Sequence, residues 1–144
     1  MVKSIVIIGG SSDIAKSTIS SISTENYKFH ALVRDDSHTD ELSGLGVNVI
    51  LGDATSEEDI KNFISGVKES GEIHAILHCV GSFAVRPPHA MNKEAFEAVI
   101  STNLTSAFLT LSIAGKAMLS QGHGRMVFMS SVAGSLGLVN HEAI

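Results

Sequence analysis

One short stretch near the start of the chain constrains its fold more than any other feature. The run Ser4–Ile8 is apolar and β-branched, which predicts a strand buried on both faces. Gly9 and Gly10 end this run, and a helix with Ser12 or Asp13 as its N-cap is predicted to begin just beyond them. Backbone N–H groups at such a helix N-terminus stabilise a phosphate group. An ordinary strand-to-helix turn uses the same residues, so this stretch alone leaves nucleotide binding open.

The rest of the chain repeats this alternation of strand and helix. Four further strands are predicted at Phe29–Val33, Val47–Leu51, Ile73–Val80 and Met126–Met129. Predicted helices run from Ser12 or Asp13 to about Glu25, from the Ser56 cap to Gly71 and from the Asn92 cap to about Gln121; Asp35–Asp40 and Ser82–Met91 are predicted loops, and the last ten residues show no period. Strands joined to helices by short glycine-bearing loops form parallel βαβ units. We therefore expect an α/β fold with a doubly wound parallel sheet of five strands flanked by helices.

Composition narrows the class of protein. A length of 144 residues predicts one domain, and a net charge of −5 argues against nucleic acid or an anionic membrane as a partner. Hydrophobic content of 44% without an unbroken apolar run of membrane length predicts a soluble protein. The single cysteine, Cys79, and an N-terminus without a signal-peptide pattern favour the cytoplasm. The seven histidines form no tight ligand pair at helical spacing, so no metal site is expected.

Small or polar residues follow every predicted strand. They are Gly9–Asp13, Arg34, Asp53, Gly81 and Ser131. Ligands of parallel sheets bind at the carboxyl ends of the strands, where the strand order reverses. An ordinary α/β domain does not need such residues after each strand, so the five groups together predict a ligand site along one edge of the sheet.

At this point the chain resembles the short-chain dehydrogenase/reductase family over nearly its whole length. The glycine signature of that family is Thr-Gly, three residues, then Gly-x-Gly, and the matching residues here are Ile8-Gly9, Gly10-Ser11-Ser12 and Asp13-Ile14-Ala15. Only the first glycine is kept. The resemblance implies a Rossmann-like sheet in which residues 1–144 form a single NAD(P)-binding domain that lacks its C-terminal part. It also implies that the cofactor lies against Gly9, Ser11, Ser12, Asp13 and Ile14.

The same resemblance implies how the nucleoside part of the cofactor is held. Arg34 matches the basic residue that NADP-using members place against the 2′-phosphate, which favours NADP(H), with NAD(H) as the alternative. Asp53 and Ala54 match the pair that contacts the adenine ring. Val80 and Gly81 belong to the segment that approaches the ribose.

That segment is Asn-Asn-Ala-Gly in the family and His78-Cys79-Val80-Gly81 here. The departure puts two different side chains where the family has amides that stabilise the central sheet. We expect His78 to be a hydrogen-bonded core histidine and Cys79 to be a buried small hydrophobic residue.

Two further matches concern catalysis. Asn103 corresponds to the helix asparagine whose backbone carbonyl holds a relay water, and Ser131 to the serine that hydrogen-bonds the substrate carbonyl. The catalytic tyrosine of the family lies thirteen residues beyond that serine, but the residue at that position is Ile144. The one tyrosine in the sequence, Tyr27, precedes the second predicted strand and is expected to lie far from the site.

The resemblance implies an NADP-dependent oxidoreductase that transfers hydride between NADP(H) and a small-molecule carbonyl or alcohol substrate. A positioned acid/base group contributes about 10²–10⁴ in rate, so we expect little or no turnover from residues 1–144 alone. Two alternatives remain: a non-catalytic NADP-binding sensor or scaffold, and a nucleotide-sugar epimerase or reductase of the same superfamily. The resemblance also implies a homodimer or tetramer, for which the apolar segment Asn92–Gln121 would supply one interface.

Overall fold

A computed structural model gives the structure of residues 3–22 and 25–141. Five parallel strands form one sheet in the order β3-β2-β1-β4-β5. The strands are β1 Lys3–Ile8, β2 Tyr27–Val33, β3 Asn48–Leu51, β4 Ile73–His78 and β5 Arg125–Phe128. The helices are α1 Asp13–Ser21, α2 Thr39–Gly44, α3 Glu57–Ser70, α4 Lys93–Ile100, α5 Ser106–Gln121 and α6 Ala133–Leu136. The predicted α/β fold with a five-stranded parallel sheet flanked by helices is confirmed.

Helices cover both faces of the sheet because successive residues of each strand point to opposite sides. Val6 and Ile8 pack with α3 and α5 on one face, whereas Ile5 and Ile7 pack with α1 and α2 on the other. Burial of each large aliphatic side chain contributes about 1.5–3 kcal/mol. The strand order reverses between β1 and β4, so a crevice opens between the ends of these two strands.

Serine side chains cap the N-termini of two helices, as the sequence predicts. Ser12 Oγ accepts a hydrogen bond from the N–H of Ala15 at 3.1 Å, and Ser56 Oγ accepts one from the N–H of Asp59 at 3.2 Å. The Asp59 carboxylate does not complete a reciprocal capping box. It accepts instead from the backbone N–H of Asp53 at 2.7 Å, which ties the start of α3 to the loop after β3.

The structure differs from the prediction on both sides of β2. The predicted end of α1 near Glu25 is wrong, because residue 22 is already extended; residues 23 and 24 of that prediction lie outside the described residues. β2 begins at Tyr27 rather than Phe29 because it pairs with β1 from Lys3 onward. The end of the predicted loop 35–40 belongs to α2, whose Leu42 is fully buried. Six residues are too few to show a helical period.

Other boundaries shift by smaller amounts. β4 ends at His78 rather than Val80, and β3 and β5 each differ from the predicted range by one residue. The last ten residues include the second half of the short helix α6, which the sequence pattern does not predict. The long predicted helix is continuous, but the turn Ser101–Thr105 between α4 and α5 is a π-helix.

The helical run 93–121 is the one helix in the described part of the chain that is both long and strongly apolar. Its mean hydropathy reaches 1.4, so by length and composition it is sufficient to cross a bilayer. One such helix is weak evidence for a membrane, because a helix that packs on a sheet passes the same test. Here Thr110, Ala114 and Met118 are buried against the sheet, while the opposite side of α5 is exposed.

Two buried histidines make the stability of the fold depend on pH. His30 and His78 are each 2% exposed, and burial lowers the pKa of both below the ordinary 6.5. The unfolded chain therefore binds more protons than the folded chain as the pH falls below about 6.5. We expect the free energy of unfolding in urea to decrease from pH 7 to pH 5, by at most about 1.4 kcal/mol per pH unit for each histidine.

The variant His30→Leu tests this cause, because it removes one of the two buried groups. The slope of stability against pH should then be markedly smaller than in the unchanged protein. Equal slopes in the two proteins, or no slope in either, would contradict the assignment.

Candidate functional site

A cavity of about 550 Å³ opens at the carboxyl edge of the sheet, where the strand order reverses. Eight of the ten residues predicted to bind the cofactor line it: Gly9, Ser11, Ser12, Arg34, Asp53, Ala54, Val80 and Gly81. They come from the segments that follow β1, β2, β3 and β4. The fold therefore brings together most of the residues that the sequence scatters over about seventy positions.

The turn after β1 fits closely against its neighbours. Gly9 has φ of +83°, and a Cβ on it would lie 2.9 Å from Val80 Cγ2. A Cβ on Gly10 would lie 2.6 Å from the Cβ of Ala31. No side chain fits at either position without displacing β2 or the segment after β4. The glycine pair thus shapes the cavity through packing as well as through backbone conformation.

The first turn of α1 points its free backbone N–H groups toward the carboxyl edge of the sheet. Ser11 and Ser12 line the cavity. Asp13 and Ile14 are the first two residues of α1, but neither is among the lining residues and both side chains are exposed. The Asp13 carboxylate pairs with Lys16 Nζ at 3.7 Å, so any contribution of these two residues would come from their backbone N–H groups.

Two carboxylates at the ends of β2 and β3 are occupied by their own turns. Asp35 Oδ1 accepts from the backbone N–H of Ser37 at 3.1 Å and also from its hydroxyl. Asp53 Oδ1 accepts from the backbone N–H and the hydroxyl of Thr55, both at 2.8 Å. These hydrogen bonds hold the pKa of each carboxyl below its usual value.

Arg34 is the cationic residue that lines this part of the cavity. Its guanidinium makes no ion pair within the described part of the chain. It is therefore available to an anionic group in the cavity.

Nowhere in ranges 3–22 and 25–141 do three His, Cys, Asp or Glu side chains come together to hold a metal ion.

At the end of β4, His78 is buried as the sequence predicts, whereas Cys79 is only partly buried and lines the cavity. His78 is a buried core histidine whose Nε2 lies 3.0 Å from Ser106 Oγ. Cys79 is half-buried, and its backbone N–H donates to the carbonyl of Ile8 at 2.8 Å. Burial raises the pKa of the Cys79 thiol, so this thiol stays protonated at neutral pH and is a poor nucleophile.

Asn103 lies in the π-helical turn and holds the loop after β4. Its Oδ1 accepts from the backbone N–H of Ser82, and its Nδ2 donates to the carbonyl of Ser82, both at 2.7 Å. Asparagine is unfavourable inside a helix, and this double hydrogen bond gives a physical reason for its presence. The adjacent Ser101 and Thr102 line the cavity.

Eight lining residues are not among the predicted cofactor-binding residues: Leu32, Asp35, Thr55, Cys79, Ser82, Ala98, Ser101 and Thr102. Four of them directly neighbour a predicted residue in the chain, so proximity alone would have suggested them. Ala98, Ser101 and Thr102 are different, because they reach the cavity from a helix that the sequence pattern treats as a core element. The polar side chains of Ser101 and Thr102 on that apolar helix are the only signal that the sequence carries, and Ala98 carries none.

Ser131 follows β5 at the same edge of the sheet but is not among the lining residues of the cavity. Its side chain is exposed, and Oγ accepts from the backbone N–H of Ala133 at 3.1 Å. Tyr27 begins β2 and so lies at the opposite edge of the sheet from the cavity. Ile144, at the position of the family tyrosine, lies outside the described residues. The role of Ser131 stays a prediction.

Solved structures share this fold. ElxO with NADP bound is 20% identical, with a TM-score of 0.90, and the match covers 99% of this chain and 61% of that one. Xylitol dehydrogenase with NAD⁺ bound is 23% identical, with a TM-score of 0.91, and the match covers 98% and 57% of the two chains. At these identities the likeness shows the fold alone.

The amino-acid sequence is also similar to curated proteins and matches the model of a protein family. A tropinone reductase homologue of Arabidopsis thaliana is 27% identical over 143 residues, which cover 94% of this chain and 53% of the homologue. The chain thus spans about half the length of the curated relatives that it matches. The family model described as short chain dehydrogenase matches residues 3–143. The chain therefore belongs to the short-chain dehydrogenase family.

Proposed function

We propose that the chain is a single NAD(P)-binding domain that holds NADP(H), with NAD(H) as the alternative, in the 550 Å³ cavity. The observation that carries this proposal is the convergence of eight predicted cofactor residues on one cavity at the reversal of strand order. Two proteins of the same fold support it, because ElxO binds NADP and xylitol dehydrogenase binds NAD⁺.

The residues of the cavity fit such a cofactor. Its volume lies within the roughly 300–1,000 Å³ that is usual for small-molecule sites. The absence of a Cβ at Gly9 leaves room for a diphosphate to approach the backbone, and the N-terminus of α1 offers N–H donors to it. Arg34 would pair with the 2′-phosphate, whereas Asp53 and Ala54 would lie against the adenine.

For the whole protein we propose hydride transfer between NADP(H) and a carbonyl or alcohol substrate. The bound nicotinamide would supply or accept the hydride. Ser131 would donate its hydroxyl hydrogen to the substrate carbonyl, because its Oγ already accepts from Ala133 and is thereby oriented. The backbone carbonyl of Asn103 would hold a relay water, since the two hydrogen bonds to Ser82 fix the position of this residue.

A second candidate is a protein that binds NADP(H) without chemistry. The observation in its favour is the lack of a tyrosine near the cavity: the sequence has one, Tyr27, at the opposite edge of the sheet. Hydride transfer to a carbonyl needs a proton donor. None of the described residues that line the cavity is a tyrosine.

NADPH absorbance in the presence of a panel of small ketones separates the two candidates. We expect the 144-residue chain to bind NADPH, measured by isothermal titration, and to leave its absorbance unchanged with every ketone. Steady consumption of NADPH that requires both protein and ketone would instead establish catalysis by these residues. Absence of binding to NADPH and NADH alike would overturn the proposed site.

Removal of the guanidinium should affect NADP⁺ selectively. In Arg34→Gln we expect the affinity for NADP⁺ to fall about 10–100-fold, the usual value of a charge-assisted hydrogen bond, and that for NAD⁺ to stay nearly constant. Arg86→Gln, which changes an exposed arginine outside the cavity, is the matched control for net charge. Equal losses for the two cofactors in Arg34→Gln would remove the assigned role.

The proposed function also leads to a substrate, an oligomeric state and a location for the protein. We propose a small-molecule substrate and a homodimer or tetramer, and a cytoplasmic location in keeping with a single cysteine, Cys79. The support for self-association is an exposed apolar stripe on the helical run 93–121. Its members are Leu104, Phe108, Leu111 and Leu119, each more than half exposed. Spacings of three, four and eight residues put them on one side of the helix.

A charge within this stripe should weaken self-association. We expect Phe108→Lys to shift the mass measured by light scattering toward the monomer, because a desolvated ammonium at the interface is unfavourable. Leu51→Lys places the same charge on an exposed apolar residue of the edge strand β3 and serves as the control. The same mass for both variants and the unchanged protein would exclude this interface.

A further inference from the structure

The π-helical turn Ser101–Thr105 leaves one backbone carbonyl without its usual helical donor. The N–H of Ser106 donates to the carbonyl of Ser101, five residues earlier, instead of to that of Thr102. The side chain of Ser106 compensates, because its hydroxyl donates to the Thr102 carbonyl at 2.5 Å. Ser106 therefore satisfies the carbonyl that the widened turn exposes.

His78 completes this arrangement from the neighbouring strand β4. Because the single hydroxyl hydrogen of Ser106 is directed at Thr102, His78 Nε2 must be the donor in its 3.0 Å contact with Ser106 Oγ. Both side chains are buried, at 2% exposure for His78 and 0% for Ser106. Phe128 packs beside the His78 ring, with 5.5 Å between ring centroids. The hydrogen-bonded chain thus runs from β4 through Ser106 to the π-helical turn.

The turn held in this way carries one wall of the cavity. Ser101 and Thr102 line it, and Asn103 holds the loop after β4 through both backbone groups of Ser82. Successive residues of a regular helix are about 100° apart around the axis. A π-turn contains one residue more than an α-helical turn. If residues 101–105 changed to α-helical geometry, Asn103 would therefore rotate away from Ser82.

We propose that His78 and Ser106 are a positioning pair, which fixes the π-helical register and thereby sets the Asn103–Ser82 contact and the adjoining wall of the cavity. Neither residue touches the cavity itself. The consequence for cofactor affinity rests on the proposed function. The consequence for the Asn103–Ser82 contact does not, because that contact exists in the protein alone.

The chain contains a matched control for a buried hydroxyl. Thr110 lies one turn after Ser106 on the same helix and is also fully buried, but its Oγ1 has no hydrogen-bond partner within the described residues. Thr110→Ala therefore removes a hydroxyl at equal burial without breaking a contact to β4. Any effect that Ser106→Ala shares with Thr110→Ala is general destabilisation.

The first measurement is amide hydrogen exchange without cofactor. The N–H of Ser82 donates to Asn103 Oδ1, so its exchange rate reports this contact directly. We expect Ser106→Ala to raise that rate at least about tenfold while the core amides of β1 keep their protection. Thr110→Ala should leave the Ser82 rate unchanged. An unchanged Ser82 rate in Ser106→Ala, or an equal increase in both variants, would overturn the proposal.

A second pair of variants tests the histidine as donor. His78→Gln keeps an N–H donor and should retain slow Ser82 exchange better than His78→Phe, which keeps the ring but not the donor. The same rate in both His78 variants would exclude a donor role. These variants also keep the proposal testable should Ser106→Ala not fold.

NADPH affinity then links the pair to the cavity. If the pair acts through Asn103, the double variant Ser106→Ala with Asn103→Ala should bind NADPH no more weakly than Asn103→Ala alone. Additive losses would show that the pair acts by another route. If the unchanged protein does not bind NADPH at all, the proposed function fails, whereas the Ser82 exchange rates still decide the question of the pair.

Discussion

The close contact between the end of β1 and the end of β4 is the constraint on which the site depends. The carbonyl of Ile8 accepts from the N–H of Cys79, and one residue later Gly9 lies against Val80 with no space for a side chain. Beyond that contact the chain leaves β1 for one face of the sheet and β4 for the other. The cavity is the space between these diverging segments, so its depth is set by backbone packing before any ligand is considered.

The sequence predicts the architecture because its strands are mainly apolar runs, which can be recognised without knowledge of the strands that they pair with. It fails where an element is short or depends on contacts distant in the chain. The six residues of α2 show no period, and Leu42 becomes a core residue only when the helix has folded. The π-helical turn depends on His78, which lies far from it in sequence. The start of β2 at Tyr27 depends on pairing with β1.

The residues of the candidate site are predictable where they follow a strand and are not predictable where they lie on a helix. Residues just after a strand end must lie at the sheet edge, so Arg34, Asp53 and Gly81 are found from strand assignment alone. A helix that passes beside the cavity gives no such guarantee. The family resemblance implies a role for the backbone carbonyl of Asn103, yet its side-chain amide makes two hydrogen bonds to Ser82 that only the folded chain shows. The position of Ser131 outside the cavity lining was equally inaccessible to sequence reasoning.

The contact between Gly10 and Ala31 has a consequence for natural variation. A methyl group at residue 10 would meet the methyl group of residue 31 at 2.6 Å, well inside van der Waals distance. The two positions share one small volume between α1 and β2, so a larger residue at one is compatible only with a smaller one at the other. Substitutions at the two positions are therefore expected to be correlated among related proteins. Where residue 10 has a side chain, we expect glycine at position 31.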